Sequence, residues 1–390
     1  MILRRRPRPT DGARTLLVDH WYSHAVGHVV EALRRCLGYH AADPGLRTSL
    51  VLNGASPVEL ARCAPFLREV YGVPYTSFGR AEGDPRRALR GVPRDWDHVV
   101  HHLAATDPDS ARFEGVTRYY AAARRHFRAR VSVGTAGQEP PAYLPHQRLR
   151  LDLPADARAR AGATLGDARA IAVLPAGSGA RFLYPSVASW LLILDELERR
   201  LPGAALVLVG RHGAADGRTA SGIGRDEVAR LAAERERVVD AFDLPILDQL
   251  ALVERTALLV SPHSGFAFAA LAVGTPWLAL SGGDWHEYFF NGVPFHSVLP
   301  RSREHPVFVR GGSMPRLDAD TDGEGPRARV MSARRIREDL DELGDAAARL
   351  VAGEIDYEEA LAGYFPRLLD AYGGDRSLVH AFDGLERDYL

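Results

Sequence analysis

The sequence predicts two α/β domains, each a Rossmann-like parallel sheet covered by helices, facing each other across a cleft. Three observations carry this. The chain has 390 residues, more than one ordinary hydrophobic core holds and suited to two domains of about 150–200 residues. Apolar runs of strand length alternate with segments of helical spacing, and that alternation starts twice. A stretch loaded with glycine and proline, GTAGQEPPAYLPHQ at 134–147, separates the two series. Domains are therefore expected over 1–150 and 151–376, with 377–390 a closing helix.

The first series opens with TLLVD (15–19) as a strand and HVVEALRRCLGY (28–39) as a helix. SLVLN (49–53) then reads as a strand, PVELARCAPFLREVYG (57–72) as a helix and DHVVHHL (97–103) as a strand, giving βαβαβ and a parallel sheet. Residues 112–130 form an amphipathic pattern rich in Arg and Tyr. The second series runs AIAVLP (170–175), a helix over 187–200, ALVLVG (205–210), RVVDAF (237–242), a helix ILDQLALVER (246–255), ALLVSP (257–262), a helix GFAFAALAVG (265–274) and PWLALSG (276–282). Its strands are uninterrupted apolar runs, as expected where helices cover both sheet faces. Residues 301–329 show no period and read as an irregular insertion, and two or three amphipathic helices follow from Ser332 to Leu390.

Composition narrows the function. Lys plus Arg number 49 against 50 Asp plus Glu, so no global field recruits nucleic acid or an anionic membrane, and any anion must be held locally. The basic RRRPRP at 4–9 lacks the apolar core of a secretory signal and reads as a disordered leader. The two cysteines, Cys36 and Cys63, have neither disulfide-framework nor metal-ligand spacing, which fits a reducing cytoplasm. The longest apolar stretch, 267–280, is interrupted by Gly274 and Pro276, so no membrane-spanning helix is expected.

In a parallel α/β sheet, ligands bind beyond the carboxyl ends of the strands, where helix N-termini offer free N–H groups and a positive dipole end. Strand-to-helix junctions are therefore the candidates. In PAGSGARF (175–182), Gly177 and Gly179 allow close backbone approach, Ser178 offers a hydroxyl and Arg181 can pair with phosphate oxygens, although a plain βα turn also uses such glycines. In SPHSGFAFAALAVGTP (261–276), a strand delivers His263, Ser264 and Gly265 to a helix start. Ser264 can cap that helix or bind an anion, with the N–H groups of Gly265 and Phe266 beside it. Gly210 and Arg211 at a strand end, with Asp248 and Gln249 at a helix start, complete a candidate rim, although Asp and Gln are ordinary first-turn residues. In DHWYSHAVGHVVEALRR (19–35), Asp19, His20, His24 and His28 follow the first strand, and an imidazole is suited to taking a proton from a hydroxyl near neutral pH. A helix-start histidine is also a common structural residue. His28, after Gly27, is the foremost candidate base.

No G-x-x-x-x-G-K-[ST], no G-x-G-x-x-G after the first strand and no H-E-x-x-H occurs, which removes the main support for ATPase, simple dehydrogenase and zincin readings.

These residues suggest a family. The stretch from Ala170 to Gly282, with its strand ending in P-x-G-S, a strand ending in V-L-V-G, and S-P-H-S-G-F-x-x-x-A-x-x-x-G-T-P-x-x-A-L, resembles the C-terminal donor domain of the heptosyltransferase group of GT-B glycosyltransferases. That family usually carries D-S-G with a His shortly after it. Here His263 stands in the Asp position and Phe266 and Phe268 follow. Gly27-His28 is similar to the family's Gly-Asp at the head of the first helix, and also resembles the GlcNAc transferases of peptidoglycan synthesis. The resemblance implies an inverting, metal-independent transfer without a cofactor, from a nucleoside diphosphate sugar to a small-molecule or glycan acceptor. It also implies that the last helix returns to the N-terminal domain. Two rivals remain open: a non-hydrolysing sugar-nucleotide epimerase, and an inert nucleotide-sugar-binding protein.

Overall fold

A computed structural model describes residues 14–22, 25–75, 83–105, 113–129, 144–214, 219–233, 235–300, 308, 322 and 330–390. His24, the basic leader at 4–9 and nearly all of the 301–329 segment lie outside the described residues. The chain divides into two compact units, Met1–Leu144 and Pro145–Leu390.

In the first unit, β1 (Thr15–Asp19) leads into α1 (Val26–Ala42), β2 (Arg47–Asn53), the short α2 (Val58–Ala61) and β3 (Glu69–Val73). Then come α3 (Pro85–Ala88), β4 (Asp95–Trp96), β5 (His98–His101), α4 (Glu114–His126) and β6 (Arg128–Ala129). The main sheet has the order β3-β2-β1-β5 and all its pairs are parallel. Leu17 and Val51 on the sheet pack with Trp21, Tyr119 and Tyr120 into one core. Helix α1 forms because Val29, Val30, Ala32, Leu33 and Cys36 recur at helical spacing and are all buried.

The second unit contains α5 (Ala155–Leu165), β7 (Ala170–Val173), α6 (Val187–Arg200), β8 (Ala205–Leu208), α7 (Arg225–Ala233) and β9 (Val238–Asp240). It continues with α8 (Ile246–Glu254), β10 (Leu258–Pro262), α9 (Gly265–Ala272), β11 (Trp277–Leu280), β12 (Phe295–Val298), α10 (Ala333–Ala352) and α11 (Tyr357–Ala371). Its sheet has the order β12-β11-β10-β7-β8-β9, again parallel throughout. Both faces are covered, so the central strands are wholly buried.

The structure departs from the expectation in both units. The helix expected over 57–72 is only α2, and its last four residues, from Glu69, belong to the strand β3, paired with β2 through Ser49–Asn53. Strand β12 and helices α5 and α7 were not expected. Residues 377–390, expected as a helix, carry two 3-10 turns at Arg376–Leu378 and Leu385–Asp388 instead.

A buried ion pair ties α10 to the second sheet. Arg335 and Asp339 are each 1% exposed at their side chains, with Nε 3.2 Å from Oδ2, and Arg335 also donates to the Val298 carbonyl at 3.1 Å. Burial holds the guanidinium below its usual pKa range while the aspartate pulls it back up. Asp339→Ala strands that charge. It should destabilise the second unit by about 3–5 kcal/mol, read as a lowered urea midpoint from the fluorescence of buried Trp190 and Trp277. The Arg335→Met/Asp339→Leu double variant should recover most of the loss; equal loss in both would show that the pairing is not what matters.

Candidate functional site

Each sheet has one point where the strand order reverses. In the second unit the chain starts at β7, winds outward through β8 and β9, then returns to the other side of β7 with β10. The loops leaving β7 and β10 therefore splay apart at their carboxyl ends, the standard crevice of such folds. The structure brings the Gly177 loop and the start of α9 together there. A Cβ on Gly177 would lie 3.5 Å from the Ser264 Cβ and 2.9 Å from the Tyr184 hydroxyl. Glycine at 177 is what permits this approach. Gly179 donates its backbone N–H to the Tyr184 hydroxyl at 2.6 Å, and Gly222 donates to the Gly177 carbonyl at 2.7 Å, so the loop is held from two sides.

Ser264 caps α9, its hydroxyl accepting from Ala267 N–H at 3.2 Å. Capping takes up that donor, while the Gly265 and Phe266 N–H groups belong to a first turn that has no intrahelical partners. His263 stands just before the cap, its ring edge-on to Phe268 at 5.2 Å. Arg181 is half exposed and paired with Glu227.

Two of the expected rim residues have other tasks. Gln249 is fully buried, and its amide clasps the Gly210 backbone: it accepts from Gly210 N–H at 3.2 Å and donates to the Gly210 carbonyl at 2.9 Å and the Leu244 carbonyl at 3.0 Å. It shapes the strand end and offers no free group to a ligand. Asp248 is engaged by Arg160 of α5 at 2.6 Å. Arg211 donates from both ends, its N–H to Ser221 Oγ at 3.1 Å and its Nε to the Gly213 carbonyl at 2.8 Å.

In the first unit the reversal lies between β1 and β5, and their ends place Asp19 beside His101 and His20 close to His102. Asp19 is fully buried and both its oxygens are used, one accepting from the Tyr119 hydroxyl at 2.9 Å and the other 2.7 Å from His101 Nδ1. It orients His101 and does not reach a substrate as a free base. His20 is fully buried with both ring nitrogens unpartnered. Burial first, then repulsion from His102 and Arg35, holds its pKa well below the usual range. His28 is the exposed histidine of the group, with Nδ1 3.2 Å from Glu31 Oε2. His24 lies outside the described residues. Among the described residues, one nitrogen of His20, one of His102 and one oxygen of Glu31 lie within 4.8 Å of one another. The sequence reading missed His101, His102 and Glu31. The first two stand at the end of the expected strand 97–103, where the junction rule would have found them.

No known family model and no curated protein matches the chain. Its structure is similar to that of a glycosyl transferase family 9 protein from Veillonella parvula, with 15% identity, 87% of this chain and 97% of that one covered, and a TM-score of 0.57. It is also similar to the E. coli ADP-heptose lps heptosyltransferase II, with 16% identity, 87% and 99% covered, and a TM-score of 0.50. The fold is that of the heptosyltransferase-like GT-B glycosyltransferases. Within that GT-B fold, the expected donor residues Gly177, Ser178, Ser264, Gly265 and Phe266 fall at the second unit's reversal point. No helix among the described residues is long and apolar enough to cross a membrane.

At this crevice and beyond it, the second unit holds neutral imidazoles. His286 has Nδ1 2.9 Å from the Tyr372 hydroxyl and Nε2 2.9 Å from the His380 carbonyl, and burial lowers its pKa to about 4. Burial, with repulsion from His286, lowers His263 to about 3. Unfolded, each ring titrates near 6.5. The unfolded chain then binds protons the folded one refuses. Stability is therefore complete above about pH 6.5 and falls as pH drops toward 4, by up to about 1.4 kcal/mol per pH unit for each ring. Urea midpoints of the second unit should be lower at pH 5 than at pH 7, and His286→Gln should flatten that dependence. A pH-independent midpoint would mean these rings are not held neutral.

Proposed function

We propose that this chain is a glycosyltransferase that moves a sugar from a nucleoside diphosphate sugar to an acceptor hydroxyl with inversion. The observation that carries the reading is the contact between the Gly177 loop and the Ser264 cap at the second unit's reversal point. Backbone N–H groups and a positive helix end converge there, which suits a diphosphate. Arg181, in the adjoining 3-10 turn, supplies the positive charge, exchanging Glu227 for phosphate. Fixed donors of this kind stabilise a diphosphate leaving group as its charge develops. The GT-B fold supports the class of reaction, and the ADP-heptose named for the E. coli enzyme suggests a nucleoside diphosphate sugar as donor.

The acceptor's proton goes to His28. Glu31 at Nδ1 favours the tautomer with its lone pair on Nε2, the form a general base needs. His28 also remains exposed, unlike His20. The diphosphate in this scheme needs no metal. D-x-D triplets do occur, at Asp95–Asp97, Asp107–Asp109, Asp318–Asp320, Asp320–Asp322 and Asp339–Asp341, so the point rests on experiment and not on their absence. An epimerase would convert a nucleotide sugar with no acceptor present, and an inert binder would turn nothing over; both outcomes are directly readable.

Two measurements test the scheme. Nucleoside diphosphates should raise the melting temperature, and Arg181→Ala should weaken their binding by about 1.5–3 kcal/mol, while a chelator leaves that binding unchanged. Loss of nucleotide binding on chelation would remove the metal-free diphosphate site. His28→Ala should cut turnover by about 10²–10⁴-fold with nucleotide affinity nearly intact, and near-normal turnover would eliminate His28 as the base.

A further inference from the structure

We infer that His20, Glu31 and His102 form a binding site for one divalent transition-metal ion of the zinc class in the first unit. The inference does not rest on the glycosyltransferase reading.

The geometry comes from three separate elements. His20 follows β1, His102 follows β5, and Glu31 is on the second turn of α1, so the sheet's reversal point and the helix beside it bring the three together. One donor atom of each lies within 4.8 Å of the others, a spacing a small ion can span. Two imidazoles and a carboxylate make a mixed nitrogen and oxygen set suited to zinc, cobalt or ferrous iron and unsuited to magnesium, which prefers oxygen.

The independent observation is His20. A neutral imidazole always carries one N–H and one lone pair, and here both are buried with no partner in the protein. Buried polar groups of this kind ordinarily have a partner. An ion takes the lone pair. Tyr22 stacks on the His102 ring at 5.1 Å and the His20 ring meets it edge-on at 4.4 Å, which fixes both imidazoles.

Two features act against the ion and are outweighed. His102 Nδ1 accepts the Ala104 backbone N–H at 3.1 Å, a bond the ring must loosen if it ligates through that side or shifts its proton. One weak hydrogen bond is exchanged for a coordinate bond. Arg35 contributes a nearby positive charge, felt by both rings. Glu31 opposes it, raising the proton affinity of His102 as it would a metal's. Three protein ligands leave a tetrahedral ion one open position, the arrangement that admits water or a hydroxyl.

The full chain, stripped with a chelator and exchanged into metal-free buffer, is titrated with Co²⁺, and Zn²⁺ affinity is read by competition. One Co²⁺ per chain should bind with a visible d–d band, Zn²⁺ should displace it, and both should raise the melting temperature; Mg²⁺ should do neither. His20→Ala removes a core side chain, so the decisive variants are Glu31→Gln, which keeps volume at a partly exposed position, and His102→Ala. Each should weaken Zn²⁺ binding by more than the roughly 10–100-fold that loss of an outer-shell partner costs. His146→Ala, at an exposed histidine of the other unit, should leave it unchanged. Absence of a stoichiometric site in the wild-type chain, or wild-type Zn²⁺ affinity in Glu31→Gln and His102→Ala, overturns the assignment. A melting response to inorganic phosphate without one to Co²⁺ or Zn²⁺ also overturns it, giving the cluster to Arg35 and an anion.

Discussion

The structure depends on the handedness of parallel strand connections. Because each crossover helix must pack back on a twisted sheet, a chain that starts in the middle strand fills one side first and then reverses. The reversal leaves two adjacent strands whose following loops diverge, and both units of this chain meet that condition, at β1 and β5 and at β7 and β10. Asp19, His20, His28, Glu31, His101 and His102 in the first unit, and Gly177 and Ser264 in the second, stand within a few residues of one of those four strand ends or on the helix that follows. Topology sets where such groups can gather before any side chain is chosen.

Side chains then divide the labour by burial. At the first reversal point Asp19 is sealed among Tyr119 and His101, so it can only hold its neighbour in place, whereas His28 on the helix surface is free to meet solvent. In the second unit, Gln249 spends its whole amide on the backbone of Gly210 and Leu244, and Tyr184 spends its hydroxyl on Gly179. Neighbouring residues of similar polarity thus end up as framework or as reactive surface according to where the core closes over them.

Much of this architecture was legible in the sequence. Central strands such as Ala205–Leu208 and Leu258–Pro262 are buried on both faces and announce themselves as unbroken apolar runs. Edge elements are harder. Glu69–Val73 has mixed burial and sits in a pattern whose apolar spacing also fits a helix, and only its pairing with β2 decides the matter. Helix α7 begins Arg-Asp-Glu and buries just Val228 and Leu231, too little to leave a clear period. In the candidate site, glycine and serine signals marked the Gly177 and Ser264 junctions correctly as loop and cap. Asp248 and Gln249 carried the same polar signal, but their partners, Arg160 and Gly210, lie 88 and 39 residues away. No local pattern reports such a pairing.

One tie in the second unit bears on how the protein is made. His286 gives its Nε2 proton to the His380 carbonyl, and Phe382 gives its N–H to Tyr288, so the segment after β11 completes its hydrogen bonding only through residues some 90 positions later in the chain. The main sheet and the described core of the first unit are built from residues up to Phe127. On the ribosome, where domains fold as units from the N-terminal side, the first unit can close long before synthesis ends. The second cannot close this tie until residues 380–382 have emerged, so its packing around 285–288 is completed only late in synthesis.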